Sequence, residues 1–239
     1  MRYKFKRPLE NEIKVSGFVT RRERNEFLER FLDYQRELDL ELGINTWEML
    51  NDLPENIVVK PLSVELDFER FYTGMCQLKE KKMFISHFLH DDRYKIKFTI
   101  NFSIYSVNEE LFDSPFFEFL KKAKNVDIIA GITKPIITHE LMHLALHVYF
   151  LYEYGIDYLR MVSNSMNCIN MVHEAVAYVT GYHFGGKFPD DKKFKFGIIN
   201  QELFNHALKI LKESGLKAVF DRGVGKIRKI LFDSSPPQE

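Results

Sequence analysis

Two histidines and a glutamate have a spacing that suits metal chemistry. His139, Glu140 and His143 lie in the stretch HELMHLALH. Residues four apart on a helix project in nearly the same direction, so His139 and His143 can each offer an imidazole nitrogen to one Zn²⁺. Glu140 projects about 100° away from His139 and can reach a water on the metal without becoming a ligand. The spacing therefore predicts a zinc site in which a carboxylate activates water for hydrolysis.

A catalytic zinc also needs a third protein ligand, for which the sequence offers three candidates. His147 continues the row of histidines but lies two helical turns, about 11 Å, from His139, so the two cannot contact one ion. His173 and Glu174 lie in a second apolar helical segment, 166–182. Glu174 is the better ligand, because small residues on its face would let this segment approach the first helix closely. That face carries Glu174, Ala177, Tyr178 and Gly181.

Together these motifs resemble a known class of enzymes. HELMHLALH, followed 31 positions after His143 by the glutamate of EAVAYVTG, is similar to the gluzincin group of HExxH zinc metallopeptidases. Locally it is also similar to the minimal gluzincins and to the ImmA/IrrE-like metallopeptidases. The resemblance covers residues 136–184 and implies a zincin-like fold, with Zn²⁺ as cofactor and a peptide or protein as substrate. It implies zinc ligands at His139, His143 and Glu174 and a general base at Glu140.

One position departs from the patterns of these families. Tyr178 stands where thermolysin-like relatives carry an aspartate and ImmA-like relatives an asparagine, so the motif does not identify the residue that orients the first histidine. Peptide hydrolysis also needs a hydrogen-bond donor for the developing oxyanion. Tyr178, Tyr182 and His183 are open candidates for these two roles, and His206 is a further candidate for the second.

The elements that must position these residues follow an α+β order. Residues 20–42 carry apolar side chains at spacings of three and four and are followed by Gly43, which predicts an amphipathic helix. Between 57 and 107, β-branched and aromatic residues with polar–apolar alternation at 94–102 predict a small, mostly antiparallel sheet. A short helix is expected near 109–124. The chain from Lys134 onward then forms a helical half that carries the HExxH helix and the second ligand helix.

Length and composition favour one compact unit. The chain has 239 residues, of which 45% are hydrophobic, which is enough for a full core. No glycine- or proline-rich linker divides it. We therefore expect an N-terminal helical region at 1–56, packed with a zincin-like metallopeptidase domain at 57–233, and a loose tail at 234–239.

Charge and targeting signals exclude several classes of partner. Lys+Arg and Asp+Glu both number 34, so the net charge of zero predicts no binding to nucleic acid or to an anionic membrane. No signal peptide or membrane-spanning run is recognisable, which predicts a cytoplasmic protein. Two cysteines, Cys76 and Cys168, are too few for a disulfide framework and are expected to be reduced and buried.

The main hypothesis is a zinc-dependent metallopeptidase that hydrolyses peptide bonds with a Glu140-activated water, and two alternatives stay open beside it. The first is a non-catalytic protein-binding or regulatory module of the same fold, whose structural zinc is closed by a fourth ligand such as His173 or His183. The second is a regulator of the ImmA kind, which cuts one protein such as a repressor.

Overall fold

Helices dominate the part of the chain that the structure describes. A computed structural model describes residues 13–16, 21–67, 75–78, 94–103, 134–185 and 200–233. The helix expected near 109–124 and the tail at 234–239 lie outside these ranges. The elements are β1 Ile13–Ser16, α1 Arg21–Leu42, α2 Thr46–Asn51, β2 Ile57–Val59, β3 Leu62–Asp67, β4 Met75–Leu78, β5 Tyr94–Ile96, β6 Phe98–Ser103, α3 Lys134–Tyr154, α4 Ile156–His183 and α5 Gln201–Asp233.

The strands pair mostly in parallel. One sheet has the order β1-β3-β6-β4, in which β3 is parallel to both β1 and β6, and only β4 is antiparallel to its neighbour. β2 and β5 form a separate parallel pair. The predicted zincin-like α+β fold with a small, mostly antiparallel sheet is therefore wrong. Parallel neighbours need a long crossover connection, which α1 and α2 provide between β1 and β3. The polar–apolar alternation of one strand shows which face of the strand is buried, but it does not show whether the neighbouring strand is parallel or antiparallel.

Helix α1 forms where its apolar spacing predicts it. Phe27, Phe31 and Leu38 are buried on one face, and the helix ends before Gly43, whose φ of +67° is the left-handed conformation that glycine adopts most readily. The prediction of an amphipathic helix at 20–42 is thus confirmed.

A buried polar network ties α1 to α2. Asp39 accepts hydrogen bonds from the backbone N–H of Thr46 at 3.0 Å, the Thr46 hydroxyl at 2.6 Å and the Gln35 amide at 2.9 Å. Burial raises the pKa of Asp39 to about 6, although these hydrogen bonds lower it. The network fixes the turn between the two helices and contains a carboxyl group that titrates in mildly acidic solution.

Helices α3 and α4 form an antiparallel hairpin with a one-residue turn. Gly155 separates them with φ +55° and ψ −131°, and its N–H donates to the carbonyl of Leu151 at 2.8 Å. Most residues of α3 are buried, since apolar side chains occur all around it. The two helices that carry the HExxH motif and Glu174 therefore lie against each other along their length.

One hydrophobic core joins side chains of all five helices with side chains of β1, β2, β3, β5 and β6. Gly215 interrupts α5 with φ +83°, so this segment consists of two helices that meet at a kink. None of the described helices has the length and apolarity needed to cross a lipid bilayer. Cys168 is an exposed free thiol on α4, so the expectation that it is buried is wrong.

Candidate metal centre

Three donor groups from α3 and α4 converge at one point. The Nε2 atoms of His139 and His143 lie 3.2 Å apart. One oxygen of Glu174 lies 3.6 Å from the first of these nitrogens, and the other oxygen lies 3.6 Å from the second. These three residues form the cluster in the described part of the chain that could hold a metal ion. The structure thus brings together the three ligands expected from the sequence.

The distances within the cluster suit one small cation. Nitrogen and oxygen ligands of a tetrahedral Zn²⁺ lie about 2.0–2.2 Å from the ion, which puts them about 3.3–3.6 Å from each other. The contacts of 3.6 Å from the Glu174 oxygens are too long for hydrogen bonds. The 3.2 Å between the two imidazoles also permits an N–H···N hydrogen bond in the cation-free chain. The donor set of two imidazoles and one carboxylate fits zinc in kind and in spacing.

Burial controls the protonation of the cluster. Desolvation lowers the pKa of His143 to about 4, so at neutral pH its imidazole is uncharged and a nitrogen lone pair is available. Desolvation raises the pKa of Glu174 to about 7, because a carboxylate without a bound cation is unfavourable there. A cation would therefore supply the positive charge that this partly buried carboxylate lacks.

Glu140 lies beside the cluster and outside the donor set. Its Oε1 is 3.8 Å from Nε2 of His139, and only 2% of its side chain is exposed. Because it follows His139 directly on α3, it projects to one side of the two histidines. This is the relationship that the sequence predicts for a general base next to a metal.

The candidates for the orienting and oxyanion-stabilising roles differ in the residues that they contact. The ring of Tyr178 packs edge-on against that of His139, with centroids 4.5 Å apart. Burial and the charges of Glu174 and Glu140 raise the pKa of Tyr178 well above its usual range, so its hydroxyl keeps its proton. Nε2 of His183 instead lies 3.7 Å from Glu41 on α1.

Two further candidates lie at other positions of the helical half. Tyr182 is partly buried near the end of α4. His206 is exposed on α5. Of the four residues considered for these roles, Tyr178 packs against a histidine of the cluster.

The two rejected ligand candidates lie behind the cluster, in the core. His173 is buried, and its ring is stacked on His143 with centroids 5.8 Å apart and an interplanar angle of 20°. His147 contacts His173 at a centroid distance of 4.6 Å, and its Nδ1 lies 2.7 Å from the hydroxyl of Tyr158. Neither belongs to the group of described donor atoms that could hold an ion, as expected for His147 from its distance along the helix.

Tyr158 makes a contact with His147 that the sequence does not reveal. It is eleven residues from His147, and the two meet only because Gly155 reverses the chain within one residue. The sequence signal that could have indicated this contact is the position of Gly155 between two apolar helical segments. That signal does not show that the turn at Gly155 is only one residue long.

Comparison with known proteins adds no relative to this picture. No protein-family model, curated protein or solved structure matches the chain.

Proposed function

We propose that this protein is a zinc-dependent metallopeptidase. The observation that carries the proposal is the convergence of His139, His143 and Glu174 on one point, with the buried carboxylate of Glu140 beside them. The similarity of HELMHLALH and EAVAYVTG to gluzincin and ImmA/IrrE-like motifs supports a peptide bond as the scissile bond. The balanced charge of the chain favours neither nucleic acid nor a membrane as partner. We propose that the protein acts in the cytoplasm on a peptide or protein substrate.

His139, His143 and Glu174 would hold the ion, since two imidazoles and a carboxylate are a donor set used by catalytic zinc. When bound there, Zn²⁺ supplies Lewis acidity for a carbonyl oxygen and lowers the pKa of a water. The low pKa of His143 keeps its nitrogen ready to donate at neutral pH.

The remaining groups of the site handle protons and charge. Glu140 can accept a proton from the attacking water at its carboxylate and return it to the departing amine. Tyr178 keeps its hydroxyl proton and can donate a hydrogen bond to an oxyanion, since its ring packs against that of His139.

The number of donors favours catalysis over a structural role. A structural zinc is closed by four protein ligands, whereas a catalytic zinc keeps one position open. Among the residues that the structure describes, three donors share the cluster, and the fourth ligands considered from the sequence lie elsewhere. His173 is in the core behind His143, and His183 faces Glu41.

Metal content and turnover test the proposal directly. We expect elemental analysis of chelator-free protein to give one zinc per chain, and His143→Ala and Glu174→Ala to lose it. His206→Ala is the matched control, because His206 is exposed on α5. Protein that stays zinc-free after reconstitution contradicts the proposal.

The role of Glu140 requires a separate experiment with quenched-fluorescence peptide libraries. Glu140→Gln should keep its zinc and lose at least about 100-fold in hydrolysis rate, because the amide cannot take up a proton. Glu153→Gln makes the same chemical change at an exposed position of the same helix and should keep normal activity. Unchanged hydrolysis by Glu140→Gln would exclude this residue as the base.

A further inference from the structure

A row of buried polar side chains runs from the metal centre into the core between α3 and α4. It begins at His143, continues through the rings of His173 and His147, and ends at the hydroxyl of Tyr158. Each of these four residues is at most 7% exposed. The ring of Tyr158 is stacked on Phe150 with centroids 5.3 Å apart, which fixes the inner end of the row in the apolar core.

This row costs folding free energy. Nε2 of His173 is buried and has no hydrogen-bond partner among the residues that the structure describes. An unsatisfied buried polar atom of this kind lowers the stability of the folded chain. An apolar side chain at the same position would avoid the cost, and the neighbours Val172 and Val176 are apolar. Features that break a local rule in this way concentrate at functional sites.

The outer end of the row reaches a candidate metal ligand. Metal-binding histidines are usually held by a hydrogen bond from the second ring nitrogen to a carboxylate or a carbonyl. Within the part of the chain that the structure describes, the ring of His173 instead packs nearly parallel to the ring of His143. The His173 ring also contacts the ring of His147. The hydrogen bond between Tyr158 and His147 anchors these contacts, because it restricts rotation of the His147 ring.

We propose that His173, His147 and Tyr158 are positioning residues that hold the imidazole of His143 in its metal-binding orientation. This inference rests on the proposed zinc site. The three residues act through packing and the hydrogen bond between Tyr158 and His147, and none of them belongs to the donor set.

Tyr158→Phe tests the row most sharply, because it removes one hydroxyl far from the ligands and keeps the ring stacked on Phe150. We measure the Zn²⁺ dissociation constant of the full chain by chelator competition, and the visible absorption of the Co²⁺-substituted protein. The expected result is a 10- to 100-fold weaker affinity for Zn²⁺ and an altered Co²⁺ spectrum. Tyr152→Phe makes the same change at an exposed position of α3 and should alter neither measurement.

His173→Leu provides a second variant if Tyr158→Phe folds poorly. It removes the unpartnered nitrogen, so the cation-free protein should be at least as stable as the wild type while Zn²⁺ binds at least tenfold more weakly. Wild-type affinity and an unchanged Co²⁺ spectrum in Tyr158→Phe or in His173→Leu would overturn the inference and leave the proposed function intact. A wild-type chain that binds no Zn²⁺ would overturn the proposed function, and this inference with it.

Discussion

Gly181 lies directly against the backbone carbonyl of Pro135. A Cβ atom built on Gly181 would stand 2.9 Å from that oxygen and 3.6 Å from Cβ of His139. A distance under 3.0 Å from a backbone atom cannot be relieved by turning a side chain, so one helix would have to move. The close approach of α4 to the first turn of α3 therefore depends on glycine at this position, and the donor atoms of the candidate metal centre lie on these two helices.

Gly181→Ala should therefore weaken metal binding and lower stability. Moving α4 by several tenths of an ångström separates Glu174 from the two histidines, and we expect at least a tenfold loss of Zn²⁺ affinity in chelator competition. Gly225→Ala is the matched control, because a Cβ there meets no atom within 4 Å. That variant should gain about 0.5–1 kcal/mol of stability from the better helix propensity of alanine. Unchanged zinc affinity in Gly181→Ala would show that the helix contact does not set the donor geometry.

Zinc affinity should depend on pH through Glu174. Its pKa of about 7 means that below pH 7 a proton competes with the cation for the carboxylate. This residue alone should weaken zinc binding about tenfold for each pH unit below 7, and contribute nothing well above it. His143, with a pKa of about 4, adds no further dependence until the pH falls near that value.

Isothermal titration in buffers of different ionisation enthalpy measures this effect as the protons released on zinc binding. Glu174→Gln should bind zinc more weakly and with a pH dependence that is shallower between pH 5 and 7. The same slope in Glu174→Gln and in the wild type would assign the titration to another group.

The features that could be predicted from the sequence are those carried by local periodicity. Helix α1 follows from the spacing of Phe27, Phe31 and Leu38, and the meeting of His139 with His143 follows from one helical turn. The approach of Glu174 could be expected as well, because small residues on its face allow two helices to come close. These inferences need only the geometry of a single helix or of one helix pair.

The features that could not be predicted depend on the direction of distant segments. The alternation at 94–102 indicates a strand, but it holds equally for parallel and antiparallel neighbours, so the sheet prediction was wrong. The contact between His147 and Tyr158 depends on a turn of one residue at Gly155, and its φ of +55° is not visible in the sequence. Tertiary packing decides such features.

Asp39 should make stability depend on pH in mildly acidic solution. Its pKa is about 6 in the folded chain, against an ordinary value of 3.8, so between pH 4 and 6 the folded state binds a proton that the unfolded state does not. Stability from this group is therefore fully present below about pH 4 and is lost as the pH rises through 6, by about 3 kcal/mol in total.

Asp39→Asn removes this titration, so a comparison with the wild type isolates the contribution of Asp39. The difference in unfolding free energy between the wild type and this variant should change by about 3 kcal/mol from pH 4 to pH 7. The wild type should become less stable relative to the variant as the pH rises. Urea denaturation at several pH values measures it. Asp33→Asn, an exposed position on the same helix, serves as the control. A difference that stays constant across this range would mean that Asp39 titrates normally.

The buried histidines should have the opposite effect on stability, and a larger one. Burial lowers the pKa of His143 to about 4 and that of His147 to about 3, and it lowers that of His173 well below the usual value. In the unfolded chain each of these histidines titrates near 6.5, so below that pH the unfolded state binds protons that the folded state does not bind. Their contribution is fully present above pH 6.5 and is lost as the pH falls toward 4.

At pH 5 His143 and His147 should each lower stability by about 2 kcal/mol, so the two together remove about 4 kcal/mol of a typical 5–15 kcal/mol. His173 acts in the same direction. We therefore expect cation-free protein to unfold between about pH 5 and 4, measured by circular dichroism during acid titration. His173→Leu should shift the midpoint to lower pH, because one proton fewer binds on unfolding. His206→Gln, at an exposed position, should leave the midpoint unchanged. A midpoint that does not move in His173→Leu would mean that this ring is already charged, or accessible to solvent, in the folded chain.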